Sequence, residues 1–195
     1  MDVKDAELVI RMQCGDKVAF ETLFNRYKTR AIQTAYLITG NRATAEDITQ
    51  ETFVKCYLKI KGLKEPAQFK TWFFKILTRV AWKMSSKEKI VSPIENIFEL
   101  SEVGSSEQIE NDLIKKEESA KIMSAIKALE DKQKTTVLLY YYNQFSVGEI
   151  AKIMGCFEGT VKSRLYTARK NLKKNLRKEE TEIEEGVANA VIYKI

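Results

Sequence analysis

Histidine is absent from the 195 residues of this chain, and proline and glycine are scarce, with two and eight copies. Without histidine the chain lacks the commonest general base and the commonest metal ligand. No glycine-rich phosphate loop or nucleophile motif takes its place. We therefore expect no catalytic residue, no metal and no cofactor, and the protein is not expected to be an enzyme. The scarcity of helix breakers favours an all-α fold.

Long apolar runs and paired cysteines are also missing. No run approaches the roughly 20 residues of a membrane-spanning helix, and the charged N-terminus, MDVKDAEL, differs from a signal peptide. Cys14, Cys56 and Cys156 are too scattered for a disulfide framework, so buried thiols are expected. These features predict a cytoplasmic protein with no direct membrane insertion.

Charge is present but unevenly distributed around a formal net charge of +6. Residues 146–178 contain nine lysines and arginines but only two glutamates, whereas residues 91–120 contain eight acidic residues and two lysines. A basic end suits nucleic acid, and an acidic middle should avoid it.

The stretch from Phe145 to Lys174 predicts a helix-turn-helix. Ile150, Ala151 and Met154 repeat at helical spacing, and Gly155 can adopt the left-handed conformation that ends a helix. The helix that follows has one apolar face, and its other face carries groups suited to base edges and phosphates. Those groups are Thr160, Lys162, Ser163, Arg164, Tyr166, Thr167, Arg169 and Lys170. An ordinary helical hairpin with a solvated basic face is the alternative.

Apolar periodicity also predicts long helices in the N-terminal part of the chain. Asp16 is the expected N-cap of the first, which ends at Gly40. Thr44 is expected to begin the second, so that Glu46 and Asp47 fall in its first turn and suit the helix dipole.

A proline-containing loop at residues 62–68 leads to a third long helix that begins at Phe69. With a short helix at residues 6–13, these helices predict a first domain over residues 1–88.

The remaining chain predicts a linker, a second domain and a tail. The helical spacing of apolar residues is lost around Pro93, which indicates a flexible acidic linker at residues 89–106. Helices capped by Ser105 or Ser106 and at residues 132–142 join the helix-turn-helix in a second domain over residues 107–178.

After Arg177 an acidic run is expected to break the basic helix and leave a tail at residues 179–195. We expect this tail to be disordered, and a docking segment for a regulator is the alternative.

Three segments, in this order, resemble the extracytoplasmic-function sigma factors, the dissociable promoter-recognition subunits of bacterial RNA polymerase. They are AEDITQETFVKCY at residues 45–57, FKTWFFKIL at residues 69–77, and the stretch from ALEDKQKTTVLLYYYNQFSVGEIAKIMG to GTVKSRLYTARKNL at residues 128–172. Matching segments on two domains indicate this family more specifically than a helix-turn-helix alone would. The resemblance implies core RNA polymerase and promoter DNA as partners, and an anti-sigma factor as regulator.

In the family, the helix that contains AEDITQETF docks on core polymerase. Asp47, Gln50, Glu51 and Val54 lie at i, i+3, i+4 and i+7 of this helix and so share one face. The resemblance implies that they contact core polymerase. Ordinary solvated helix charges are the alternative.

The loop and helix from Gly62 onward correspond to the part that opens the minus-10 element in relatives. Aromatic and cationic side chains there combine stacking surfaces with positive charge, as single strands require. The implied minus-10 residues are Lys64, Gln68, Phe69, Lys70, Trp72, Lys75 and Arg79. For Trp72, core packing is the favoured alternative. Arg79 and Lys83 depart from the Asn and the acidic residue frequent in the family.

In the second domain, the resemblance implies minus-35 contacts by Lys162, Ser163, Tyr166 and Thr167. Thr167 stands where relatives commonly have Arg, so the preferred sequence is expected to differ. Arg164, Arg169 and Lys170 suit the DNA backbone better.

The acidic linker resembles the family's connector, which passes through the RNA channel of the polymerase in relatives. An ordinary disordered spacer would have the same composition.

Together these features predict a sigma factor that recognises minus-35 duplex with its second domain and opens minus-10 DNA with its first. It is expected to serve a stress or envelope response under anti-sigma control. The alternative is a repressor or activator that binds an operator as a dimer through the same helix-turn-helix. A nucleic-acid-modifying enzyme is a third class, which turnover by the purified protein alone would reveal.

Overall fold

The computed structural model of the chain describes residues 4–85 and 121–192, with side chains up to Leu176. Within these residues every regular element is helical, which confirms the all-α class with two helical domains. The elements of the first domain are α1 (Asp5–Gln13), α2 (Lys17–Thr39), α3 (Arg42–Lys59), two 3-10 turns (Ile60–Gly62 and Pro66–Gln68) and α4 (Phe69–Ser85). The elements of the second are α5, described over residues 121–127, α6 (Asp131–Val137), a π-helical turn (Leu138–Tyr142), α7 (Val147–Met154) and α8 (Glu158–Ile192).

Several predictions fall on other parts of the chain. The linker at residues 89–106, the serine caps and the start of the helix after them lie outside the described residues.

Local capping explains where the first helices begin and end. The Asp16 carboxylate accepts the backbone N–H groups of Val18 and Ala19 (2.8 and 3.2 Å), and Gly40 ends α2 in the left-handed region with φ of 76°. Both were expected from the sequence.

The predicted start of α3 at Thr44 is wrong. Asn41 is the N-cap, because its side chain accepts the N–H of Thr44 (2.9 Å), and the helix begins at Arg42. Glu46 and Asp47 therefore lie beyond the first turn.

Aromatic rings from three helices form the centre of the first domain. Tyr27 of α2 packs on Phe69 and Phe73 of α4, with ring centroids 5.3 and 5.2 Å apart. Phe53 of α3 lies 5.0 Å from Phe73. Such pairs contribute about 0.5–1.5 kcal/mol each beyond the area they bury, so this cluster fixes α4 firmly against α2 and α3.

The helix-turn-helix forms as predicted. Ser146 and Glu149 make a reciprocal capping box at the start of α7, and Gly155 ends that helix with φ of 65°. Val161, Leu165 and Ala168 of α8 are buried against it. The polar face of α8 is thereby turned outward.

The two domains pack directly against each other. Asn143 Nδ2 donates to Thr34 Oγ1 (3.2 Å), and both residues are 0% exposed. Phe145 packs edge-on against Phe74 of α4, with ring centroids 5.1 Å apart. The apolar core is continuous across this contact.

Further polar contacts flank the buried pair. The Tyr142 hydroxyl donates to Gln33, and Arg30 Nη2 donates to the Tyr142 carbonyl (3.4 Å). At the other end of α4, Trp82 Nε1 donates to Thr135 Oγ1 (3.1 Å). The sequence did not predict this interdomain contact.

The C-terminal part of the chain corrects another expectation. The helix does not break after Arg177, because α8 continues through the acidic run to Ile192. Glutamate is a good helix former, and no proline interrupts this stretch. The expected disorder of the tail is therefore wrong as far as Ile192.

The cysteines differ from one another in their surroundings. Burial raises the pKa of the Cys56 thiol to about 12. Cys14 is exposed and Cys156 is half-buried. The expectation of buried thiols thus holds for Cys56 alone, because the other two lie at a helix end and in the helix-turn-helix turn.

Candidate nucleic-acid interface

The outer face of α8 presents polar and cationic side chains to solvent. Lys162, Ser163 and Lys170 are exposed, and Tyr166 is 72% exposed. Thr160 and Thr167 are half-buried at the edges of this face. Since Val161, Leu165 and Ala168 on the opposite face are buried in packing, the exposed groups are available to a nucleic acid.

Two arginines of α8 are held by neighbouring side chains. Arg164 Nη1 lies 3.6 Å from Cys156 Sγ and so leans back over the turn. Arg169 Nε donates to the Tyr141 hydroxyl (2.8 Å), and its guanidinium lies 5.7 Å from the centre of that ring. Both cations are therefore oriented by the protein itself.

Phe157 is a candidate that the sequence analysis missed. It stands directly before α8, where its carbonyl accepts the N–H groups of Thr160 and Val161 (3.0 and 3.2 Å), and its side chain is 86% exposed. The available signal was an aromatic residue in the turn that belongs to neither apolar stripe. Its place beside the exposed end of α8 suits an apolar contact with a thymine methyl group.

The predicted minus-10 residues separate into accessible and inaccessible groups. Lys64 and Arg79 are exposed, and Gln68, Trp72 and Lys75 are half-buried. Trp72 packs against the core, in line with its favoured alternative.

Phe69 corrects the prediction, because it is 2% exposed and its ring packs on Tyr27. A base cannot stack on a ring enclosed in this way. We therefore remove Phe69 from the candidate minus-10 residues.

Lys70 lies in the interdomain contact. Its Nζ is 3.5 Å from the Asn143 carbonyl and 4.6 Å from the centre of the Phe145 ring. A phosphate cannot approach Lys70 from this side while the two domains are in contact.

Glu149 connects this region to the helix-turn-helix. Partial burial acts to raise the pKa of Glu149, but hydrogen bonds from the Ser146 backbone and hydroxyl, together with the charges of Lys70 and Lys152, outweigh it. The pKa of Glu149 therefore lies below its ordinary value.

The predicted face of α3 is accessible. Asp47 and Gln50 are exposed, and Glu51 pairs with Lys55 (2.6 Å). Val54 is 57% exposed and adds an apolar edge.

Leu58, four residues after Val54, is 73% exposed and extends the same face. We call Asp47, Gln50, Glu51, Val54 and Leu58 the α3 strip. Sequence reasoning missed Leu58, although its i+4 spacing from Val54 was an available signal.

Among the described residues, no group of three acidic or cysteine side chains could hold a metal ion. None of their helices combines the length and the apolar character needed to cross a membrane.

Comparisons with known proteins identify the family. The Sigma-70 region 2 model matches residues 23–89, and the Sigma-70, region 4 model matches residues 119–172. The chain is 30% identical over 185 residues to the ECF RNA polymerase sigma factor SigW of Bacillus subtilis strain 168, which covers 91% of this chain and 99% of that protein. The chain belongs to the extracytoplasmic-function sigma factors.

This sigma factor is also 31% identical over 182 residues to the ECF RNA polymerase sigma-E factor of Haemophilus influenzae, across 88% of this chain and 95% of that one. As a sigma factor it binds core RNA polymerase and directs promoter-specific initiation of transcription, which confirms the predicted function.

Solved structures share its fold. CnrH, determined in complex with the cytosolic domain of CnrY, has a TM-score of 0.68 at 18% identity, covering 89% of this chain and 97% of that chain. The sigma factor RpoE in complex with the anti-sigma factor NepR from Bartonella quintana has a TM-score of 0.63 at 24% identity, covering 81% and 96%.

Proposed function

We propose that this sigma factor binds core polymerase, minus-10 DNA and minus-35 DNA through three separate surfaces. The α3 strip binds core polymerase. The helix α4 and the loop before it bind and open minus-10 DNA, and the outer face of α8 recognises the minus-35 element. The first two surfaces belong to a domain over residues 1–88 and the third to a domain over residues 107–178.

The α3 strip is the observation that carries the proposal furthest. It combines two carboxylates with exposed Val54 and Leu58 on one face of a helix whose other face is buried. A fixed helix with an acidic, partly apolar strip suits a basic partner of complementary shape.

The outer face of α8 supplies the minus-35 contacts in this proposal. Lys162, Ser163 and Tyr166 lie near its beginning, where a recognition helix meets base edges. Phe157 adds an apolar contact beside them. Arg169 and Lys170 lie further along the helix and contact phosphates.

The minus-10 surface comprises the accessible residues Lys64, Gln68, Lys75 and Arg79. These groups place cations and an amide along α4 and the loop before it, with Lys75 and Arg79 at i and i+4 on one side of the helix, as a groove for single strands requires.

Control by an anti-sigma factor is part of the proposal. Of two proteins with the same fold, RpoE was solved with the anti-sigma factor NepR, and CnrH with the cytosolic domain of CnrY. We infer that an anti-sigma factor restrains this protein in the cytoplasm, where bacterial polymerase works, and that a stress or envelope signal releases it. Its action is binding, without catalysis of its own.

Charge reversal on the α3 strip tests the proposal. Asp47→Lys combined with Glu51→Lys should abolish co-elution with core polymerase and run-off transcription, because like charges across an interface cost several kcal/mol. The fold should persist, since a Lys beside Lys55 costs only about 0.2–0.5 kcal/mol.

The matched control is Glu7→Lys combined with Glu21→Lys, which changes the net charge equally at exposed positions of α1 and α2. Circular dichroism and thermal melts establish that both variants fold. Normal polymerase binding by the strip variant would refute the assignment of α3. Loss of binding in the control as well would trace the effect to net charge.

A further inference from the structure

A single side chain of α1 holds the turn that leads into the loop before α4. Gln13, the last residue of α1, donates its Nε2 amide group to the Ile60 carbonyl (3.0 Å) and to the Leu63 carbonyl (2.8 Å). These acceptors lie 47 and 50 positions further along the chain. Both N–H groups of this amide are therefore used to join the first helix to the turn after α3.

The two bonds fix two peptide planes. The Ile60 carbonyl shares a rigid plane with the backbone N–H of Lys61, and the Leu63 carbonyl shares one with the next residue, Lys64. The side chains of Ile60 and Leu63 are buried in the core, whereas Lys64 is exposed. Gln13 therefore sets the direction in which the chain leaves the core to present Lys64.

Pro66 explains why the Leu63 carbonyl takes its donor from another helix. The Ile60 carbonyl also accepts the N–H of Leu63 (3.0 Å), which closes the first 3-10 turn. The equivalent bond to the Leu63 carbonyl would come from residue 66, and proline has no N–H to donate. A partly buried carbonyl without a donor is unfavourable. Gln13 supplies the donor that Pro66 lacks.

The helix that carries Gln13 is itself firmly attached. At its beginning, Asp5 accepts a hydrogen bond from the Tyr27 hydroxyl and pairs with Arg26. At its end, Arg11 pairs with Asp16 (2.7 Å). Three apolar residues of α1 lie in the core, namely Leu8, Val9 and Met12. A helix held at both ends and along one face is a rigid support for the turn.

Rigid support matters for a loop that binds single strands. A loop that becomes ordered only on binding loses conformational entropy at that moment, and a loop already held in place does not. The second 3-10 turn is closed by its own bond, from the Gln68 N–H to the Glu65 carbonyl (2.9 Å). The part of the loop before it, which contains Lys64, is the part that Gln13 holds.

We propose that Gln13 is a positioning residue for promoter opening, because it fixes the peptide plane from which Lys64 reaches minus-10 DNA. The role falls on α1, which ends before the Sigma-70 region 2 match begins at residue 23. It rests on the proposed assignment of Lys64 to the minus-10 surface. Gln13 acts through this loop and does not itself contact DNA.

Gln13→Met removes both bonds with little change in shape, because methionine is unbranched, has about the same length and cannot donate a hydrogen bond. Gln13→Glu is a second variant of the same shape, and its ionised carboxylate has no donor either. The matched control is Thr22→Val, which also removes a donor to a backbone carbonyl, that of Val18 within α2 (2.8 Å). Circular dichroism and thermal melts establish that the variants fold.

Opening is measured with the holoenzyme on a promoter that supports run-off transcription by the wild type. A fluorescent base analogue in the minus-10 element gives the opening rate, and filter binding gives the affinity of the closed complex. Both Gln13 variants should slow opening about tenfold and leave closed-complex affinity within about twofold of the wild type, because they misplace a contact made only on opening. Thr22→Val should match the wild type in both measurements.

Lys64→Ala links the effect to the loop. Alone it should slow opening, because it removes the cation that Gln13 positions. Adding Gln13→Met to Lys64→Ala should slow opening further by less than about twofold, because residues that act through one another are not additive. A general loss of stability would not produce this coupling.

Each contrary result overturns the proposal in a different way. Normal opening by the Gln13 variants, with slow opening by Lys64→Ala, would leave the minus-10 surface intact and remove Gln13 from its support. Normal opening by Lys64→Ala would remove Lys64 from the minus-10 surface, and the positioning role with it. Effects that multiply in the double variant would show that Gln13 does not act through Lys64. Equal losses of opening rate and closed-complex affinity would make Gln13 a support of the fold alone.

Discussion

Two helices of this sigma factor carry proposed DNA surfaces, and they differ in what lies over them. The outer face of α8 is open, with Lys162, Ser163 and Tyr166 in solvent. On α4, Lys70 and Phe74 are covered by the second domain, while Arg79 is exposed. The accessible surface of α8 follows from its own apolar stripe, whereas that of α4 depends on where another domain sits. A substitution of Lys162, Ser163 or Tyr166 on α8 should therefore act on DNA alone, and one on the covered side of α4 should also report on domain packing.

The largest effect is expected on the open face. Lys162→Ala should relax the choice of minus-35 sequence by about 1–3 kcal/mol of discrimination, the range of a good base contact. Arg169→Ala should instead weaken binding to all sequences alike, because a backbone contact carries no base information. Binding to a panel of substituted promoters at fixed salt measures both.

Arg169 needs its own control, since its side chain also bonds to Tyr141. Tyr141→Phe removes that hydroxyl and keeps the ring, so it isolates the structural part of any loss. If Lys162→Ala lowered the affinity for every promoter in the panel by the same factor, this lysine would contact phosphate. It would then not differ from Arg169 in its role.

A smaller effect is expected on the part of α4 that is not covered. Lys75→Ala with Arg79→Ala should slow strand opening about tenfold, or about 1.4 kcal/mol, and leave closed-complex binding nearly unchanged. Permanganate footprinting beside filter binding separates the two steps. Normal opening in this double variant would take both residues out of the minus-10 surface.

Local rules explain why so much of the second domain could be predicted. Gly155, the buried stripe and the polar face of α8 all depend on residues within a few turns of one another, and each lies where its spacing indicates. The same local reasoning found the cap at Asp16. It failed at Thr44, where Asn41 was a competing cap only three residues away.

Long-range contacts explain what could not be predicted. Lys70 was assigned to DNA on the family resemblance and on the mixture of cations and aromatic residues around it, but its neighbours in space are residues more than seventy positions away. Thr34 follows the helical spacing of the apolar residues of α2, but periodicity gave no reason to bury Asn143 or to pair the two. Phe69 was assigned to a base because aromatic residues stack equally well on bases and on each other, and only its packing on Tyr27 decides between them.

The smallest effect concerns Glu149, which joins the two surfaces because it caps α7 and attracts Lys70 of α4. Its pKa in the folded protein lies below the ordinary 4.5. The stability that its charge contributes is therefore fully present above about pH 4.5 and is lost as the pH falls through the folded pKa. Lys152 also contributes to this shift, so Lys70→Ala should reduce the shift and leave part of it in place.

We expect Glu149→Gln to unfold more easily than the wild type at neutral pH, by less than the roughly 1 kcal/mol typical of losing a helix cap. The two proteins should converge towards pH 3. Urea titrations between pH 3 and pH 7 measure this difference. A gap between them that stays constant across the range would mean that the Glu149 charge contributes nothing, and that shape and neutral hydrogen bonding alone hold this end of α7 against α4.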